Sequence, residues 1–234
     1  MKIAIMGAME EEIENLINQF GEEITQEEYG RNTFYLVKYE NIELIITNSG
    51  IGKVFSTITA TTLIEKYGCE MLLFTGVAGG IKEGLKVGDL VVANKLCQHD
   101  LDITAFGHPY GYVPGLDIFI EPTKDLIELV KEVSKKNNIN IIEGTIATGD
   151  QFVHSTERRE FVIKEFDASA LEMEGASVAV VCDTYKIPFL ILRSISDTAS
   201  EEANVDFNEF LKMSAKRSAN LILNLVQEIQ KENK

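Results

Sequence analysis

Short apolar runs that end abruptly at glycines or carboxylates punctuate this chain of 234 residues, and stretches of helical period separate them. Ile3 to Met6 stops at Gly7, and the stretch after it carries Ile13, Leu16, Ile17 and Phe20 on one face of a helix. Ile42 to Thr47 stops at Asn48-Ser49-Gly50-Ile51-Gly52, with a helix predicted from about 53 to 67. Met71 to Thr75 runs into Gly76-Val77-Ala78-Gly79-Gly80. Further strands are predicted at 88–93, 141–148, 169–172 and 188–195, and helices at 123–137, 156–166, 175–186 and 207–232. Strands alternating with helices predict an α/β fold around a largely parallel sheet. Residues 22–28, 33–38 and 42–47 read as three strands with no helix between them, so the sheet is expected to be mixed. No linker, repeat or low-complexity segment interrupts the chain, which predicts one domain over residues 1–234. Residues 99–122 break the rhythm with Pro109, Pro114, Pro122, three glycines and four aromatics; a loop of that length inside a compact domain is usually functional.

Charge narrows the partners. With 22 Lys and Arg against 37 Asp and Glu, the net charge is −15, a field that repels phosphate backbones and argues against nucleic-acid binding. Cys69, Cys97 and Cys182 are odd in number and widely spaced, so they read as buried thiols of a reducing compartment. The apolar start of the chain meets Glu10-Glu11-Glu12 too early for a signal peptide, and no apolar run approaches a membrane span. A soluble, cytoplasmic protein is expected.

In open α/β sheets ligands bind beyond the carboxyl ends of the strands. That rule selects residues 7–12, 48–52, 75–80, 149–153 and 193–198, together with Glu172-Met173-Glu174 at a strand-to-helix junction. Gly50-Ile51-Gly52-Lys53 fails as a phosphate loop, because Thr47 and Val54 stand where that motif needs Gly and Ser or Thr. The first strand-to-helix turn holds three glutamates in the field that would otherwise draw an anion. They are either a solvated first turn or, for at least one of them, a carboxylate over the sheet edge. Asp197 ends an apolar strand, as a helix cap, as a partner of Arg193, or as a desolvated acid able to hold a proton. Glu172 and Glu174 share a face if the segment is extended and diverge if a helix begins between them. Gly149-Asp150-Gln151-Phe152-Val153 is a turn or a cradle for a planar base. His99-Asp100-Leu101-Asp102 lacks a second His or Cys at ligand spacing, and His108 and His154 each stand alone, so no metal site is expected. No G-x-S-x-G elbow supports a serine nucleophile. Acids on several strand ends suggest acid–base work on a neutral or cationic substrate.

These segments, in this order, closely resemble the bacterial 5′-methylthioadenosine/S-adenosylhomocysteine nucleosidases of the purine nucleoside phosphorylase superfamily. The resemblance runs from Met1 to about Val226. It implies a three-layer nucleoside phosphorylase/hydrolase-like fold, with a central mixed, twisted sheet flanked by helices. It also implies hydrolysis of 5′-methylthioadenosine, S-adenosylhomocysteine and 5′-deoxyadenosine to adenine and a ribose, in methionine salvage, without metal or cofactor. By the same resemblance Glu12 activates water, Asp197 protonates adenine at N7, and Glu174 binds the ribose hydroxyls with Met173 against the sugar. Phe152 stacks on adenine and Val153 meets it through the backbone. Met9, Ile51, Ile103, Phe106 and Phe207 form the 5′-alkylthio pocket, and Arg193 and Ser196 support the water and Asp197. His108 and Pro114 of a neighbouring subunit complete the pocket, which implies a homodimer. Two positions depart from the family pattern: Val77 stands where Ser is frequent, and His108 where a phenol is common. A phosphorylase of the same superfamily and a non-catalytic nucleoside-binding protein are the rival readings.

Overall fold

The computed structural model describes residues 1–198 and 203–232, and it is an α/β structure built on a ten-stranded mixed sheet. In chain order the elements are β1 (Lys2–Gly7), α1 (Glu10–Phe20), β2 (Ile24–Tyr29), β3 (Asn32–Tyr39), β4 (Ile42–Asn48), α2 (Lys53–Glu65), β5 (Met71–Phe74), β6 (Val77–Gly80) and β7 (Leu90–Gln98). There follow α3 (Lys124–Lys136), β8 (Ile141–Thr148), α4 (Thr156–Phe166), β9 (Ala168–Glu172), α5 (Gly175–Tyr185), β10 (Phe189–Asp197) and α6 (Ala203–Glu232).

Alternation along the apolar runs explains the layers, since successive strand residues face opposite sides of a sheet. Ile3 and Ile5 of β1, with Leu190 and Leu192 of β10, face a core filled by α1, α3 and α6. Ala4, Met6, Ile191 and Ile195 face the other core, filled by α2 and α5. Each fully buried aliphatic side chain contributes about 1.5–3 kcal/mol, so strands that are apolar on both faces belong at the centre. The mixed character lies where the sequence puts it: β2, β3 and β4 pair antiparallel, while β4, β1, β5 and β10 run parallel. Cys69, Cys97 and Cys182 are buried free thiols.

Three features differ from the sequence reading. Val77 to Gly80, the glycine-rich segment that the Met71–Thr75 run enters, is a strand of its own, and its backbone pairs with β10 on one side and β9 on the other. β7 continues to Gln98 and pairs with both β8 and β10, so β10, β6, β9, β8 and β7 close into a ring at one end of the sheet. α6 begins at Ala203, ahead of the expected 207. Among the described residues, no helix is long and apolar enough to cross a membrane.

Hydroxyl groups lock α6 to the strands. Ser218 Oγ accepts from Thr75 Oγ1 at 2.7 Å and from the Gly76 N–H at 3.3 Å, and Ser214 Oγ donates to the Ile195 carbonyl at 2.9 Å. Ser218→Ala leaves two buried donors without an acceptor, a cost of about 1–3 kcal/mol. Equilibrium urea unfolding is expected to register that loss; an unchanged midpoint would mean the helix docks by its apolar face alone.

Candidate active site

A cavity of about 460 Å³ opens over the carboxyl ends of β1, β9 and β10, walled also by β6 and the first described side chains of α6. Glu12, Glu174 and Asp197 line it with Glu172, Ser196 and Asn208; the remaining wall is largely apolar, with Met9, Ile51, Val77, Phe152, Met173 and Phe207. Val153 lines a smaller adjoining space with Phe152, Met173 and Asp197. Phe207 sets its edge against Phe152, with ring centroids 5.7 Å apart.

The glutamates of the first turn are not equivalent. Glu10 is exposed, Glu11 half-buried and Glu12 buried, because the α1 period turns every third or fourth residue inward. Glu12 Oε2 accepts the Ala8 and Met9 N–H groups at 2.5 and 3.0 Å, and Oε1 accepts the Val77 N–H at 2.9 Å. Burial pushes its pKa above the usual carboxylate value, against the Arg193 charge and those three amides, which pull it down. Val77 serves Glu12 through its backbone, so that bond is available whichever side chain stands there. Gly76 makes the approach possible: a Cβ there would lie 2.6 Å from Glu12 Oε1.

A β-bulge shapes the other acid. β10 pairs Ile195 with Ala78 but Asp197 with Gly79, so Ser196 is an extra residue and Asp197 is turned from the face its spacing from Ile195 would give it. Ser196 Oγ donates to Asp197 Oδ2 at 3.0 Å.

Glu172 and Glu174 diverge, since α5 begins directly after Glu174. Glu172 accepts from Arg193 Nη2 at 2.8 Å, from the Gly175 and Glu174 N–H groups at 2.7 and 3.3 Å, and from the Thr148 hydroxyl. Arg193 also lies over the Phe74 ring and donates to the Phe74 and Leu192 carbonyls. Its guanidinium is thus engaged by Glu172 beneath the cavity and is absent from the lining. Glu174 Oε1 accepts the Gly52 N–H at 2.8 Å, a geometry that uses the positive φ of +98° at Gly52. Burial, then the adjacent Glu172 carboxylate, pushes the Glu174 pKa up to about 8.

Ile103 and Phe106, expected in this chain's own pocket, stand elsewhere, and His108 and Pro114 are expected in the pocket of a neighbouring subunit. Ile103, Phe106, His108 and Pro114 belong to the long 99–122 segment and do not line the cavity, and Phe106 is 82% exposed. His99 is buried, with Nδ1 facing Arg158 Nη2 at 2.9 Å, and burial lowers its pKa to about 4. Leu171 and Asn208 line the cavity without having been singled out; only their adjacency to Glu172 and to Phe207 pointed toward them.

Residues 2–227 match the Phosphorylase superfamily. The aminodeoxyfutalosine nucleosidase of Campylobacter jejuni is 51% identical over 229 residues, which are 98% of this chain and 100% of the relative. The 5′-methylthioadenosine/S-adenosylhomocysteine nucleosidase of Bacillus velezensis is 41% identical over 231 residues, 98% and 100% of the two chains. A solved structure of the Helicobacter pylori 5′-methylthioadenosine/S-adenosylhomocysteine nucleosidase superposes with a TM-score of 0.95 at 48% identity, covering 97% and 98% of the chains. Another structure of that protein, with the same TM-score, identity and coverage, is an aspartate-to-asparagine mutant with 5′-methylthioadenosine in its active site.

Because folding raises its pKa, Glu174 takes up a proton on folding at intermediate pH. The contribution of its protonated form to stability is full below the ordinary glutamate value and is lost as pH rises through about 8. A glutamine at this position keeps an acceptor for Gly52 and never ionises. The ligand-free Glu174→Gln variant is therefore expected to melt close to wild type near pH ~5 and above it near pH ~9. A thermal-melt series across that range checks this; parallel curves would place the Glu174 titration in bulk-like solvent.

Proposed function

The chain belongs to the Phosphorylase superfamily, and from that premise we propose that it is a purine N-ribosyl hydrolase acting on 5′-substituted adenine nucleosides. The observation that carries this reading is a carboxylate-bearing apolar cavity with no lysine or arginine among the described residues of its wall. A phosphorylase must bring a phosphate anion to the sugar, and like charges repel strongly at low dielectric. Water meets no such barrier. As the glycosidic bond breaks, positive charge grows on the ribose, and carboxylates held in an apolar cavity stabilise it.

In this reading Asp197 gives a proton to N7 as the C1′–N9 bond breaks, so adenine leaves neutral. Glu12 takes a proton from the water whose oxygen bonds to C1′. Its raised pKa makes the ionised form a stronger base than an exposed glutamate. Glu174 binds the ribose hydroxyls and Met173 packs on the sugar. Phe152 and Val153 hold the base, and Met9, Ile51 and Phe207 flank the 5′ group. Every step moves only protons and the glycosidic bond, so the reaction needs no metal or organic cofactor.

Ile103, Phe106, His108 and Pro114 act in the cavity of a second copy, giving a homodimer. Support comes from apolar side chains left uncovered: Phe106 at 82% exposure, and Ile51, Val54 and Ile58 at 54%, 66% and 56%. The substrates in this reading are 5′-methylthioadenosine, S-adenosylhomocysteine and 5′-deoxyadenosine, in cytoplasmic methionine salvage. The higher identity to a protein named aminodeoxyfutalosine nucleosidase favours aminodeoxyfutalosine as a further substrate.

Incubation with each nucleoside, with and without phosphate, is expected to release adenine and the free sugar at a phosphate-independent rate. A phosphorylated sugar would identify a phosphorylase instead. Asp197→Asn is expected to lower kcat by about 10²–10⁴-fold while nucleoside binding, followed by calorimetry, survives. Near-normal turnover would remove Asp197 from the acid role.

A further inference from the structure

We propose that Asp100 is a positioning residue for this reaction, closing a hydrogen-bonded ring with Lys53 and Asp150 that holds Gly52 against Glu174. The inference rests on the nucleosidase reading and assigns a role to residues outside the cavity wall.

The ring joins three strand or helix ends. Lys53, the first residue of α2, donates from Nζ to Asp100 Oδ1 at 2.7 Å and to Gln98 Oε1 at 3.2 Å. The Asp150 N–H, just past β8, donates to Asp100 Oδ2 at 2.9 Å. The Lys53 N–H in turn donates to Asp150 Oδ1 at 2.8 Å. Both Asp100 oxygens are thus acceptors for donors on two different segments, and the circuit returns to the residue it began from.

The consequence for the site lies one residue away. Gly52, directly before Lys53, is the N–H donor to Glu174. Its φ of +98° needs outside support, because glycine loses more conformational freedom on ordering than any other residue. Asp150 supplies that support by accepting the N–H of the next residue, Lys53, and its Oδ1 sits so close that a Cβ on Gly52 would lie 3.0 Å from it. Asp150 also begins the approach to Phe152, so one ring sets the ribose carboxylate and the base-holding segment together. The Lys53 and Asp100 side chains are only 19% and 16% exposed, which protects the pair from the screening that weakens surface ion pairs. Burial works to raise the Asp100 pKa, but the Lys53 ammonium and the Asp150 N–H more than offset it, and the net direction is down.

Asp100→Asn replaces one acceptor with a donor and sets it against N–H groups. With 5′-methylthioadenosine as substrate, this variant is expected to lose about 10- to 100-fold in kcat/KM, the scale of a misplacement near 1 Å. Lys53→Gln, which opens the ring from the other side, is expected to lose a similar amount. If Asp100 acts through the Gly52–Glu174 hydrogen bond, the effects are not additive: in a Glu174→Ala background, which removes the acceptor for Gly52, Asp100→Asn should cost less than about threefold further. Purely structural damage would multiply through instead, and full multiplication overturns the proposal. So does wild-type-like kcat/KM, within about twofold, in a folded Asp100→Asn. Should Asp100→Asn fail to fold, the same pair of outcomes is read from Lys53→Gln alone and combined with Glu174→Ala. Absence of nucleoside hydrolysis by the wild-type chain overturns the nucleosidase reading, and the positioning role with it.

Discussion

A buried carboxylate that must be satisfied from every side organises this end of the molecule. Glu172 has almost no contact with water, and removing a charge from water costs several kcal/mol unless its lone pairs are filled. Four donors fill them: the Arg193 guanidinium, the Thr148 hydroxyl, and the Gly175 and Glu174 amides. These belong to β10, β8 and the entry of α5, while Glu172 itself ends β9. One anion therefore fixes the relative positions of the elements that floor the cavity. It also engages the guanidinium, leaving the cavity wall acidic, and its charge helps keep the neighbouring Glu174 protonated near neutrality.

The reactive geometry above this floor comes from small residues and one irregularity. Gly76 lets Glu12 come within reach of the Val77 amide, and the bulge at Ser196 turns Asp197 into the cavity. Both are local departures from regular strand geometry, held in place by the closed ring of β6 to β10 and by the serines of α6. Two acids in unlike surroundings result. Glu12 is ringed by amides; Asp197 shares a strand end with a serine hydroxyl.

Much of this was legible in residue order. Apolar runs buried on both faces located the central strands, and the antiparallel start followed from three strands without a helix between them. The strand-end rule picked segments that do meet in the cavity. The failures have physical causes. Val77 to Gly80 is not among the predicted strands because its glycines and small side chains carry no strand periodicity, yet a narrow central strand beside a bulge requires them. Sequence distance offered Asp197 as one partner for Arg193; nothing in residue order shows that Glu172, arriving on β9, takes its guanidinium. Lys53 was weighed only as a phosphate ligand, since nothing local announces an ion pair with Asp100, forty-seven residues on.

Alone, then, the sequence determined the α/β class, the mixed sheet and the chemical character of the site, because these follow from hydrophobic period and from carboxylates set at the ends of apolar runs. Tertiary structure alone decided which glutamate is buried, which acid holds a proton, and which cation is already engaged. Those properties depend on desolvation and on donors arriving from other strands, and neither is written in any single stretch of chain.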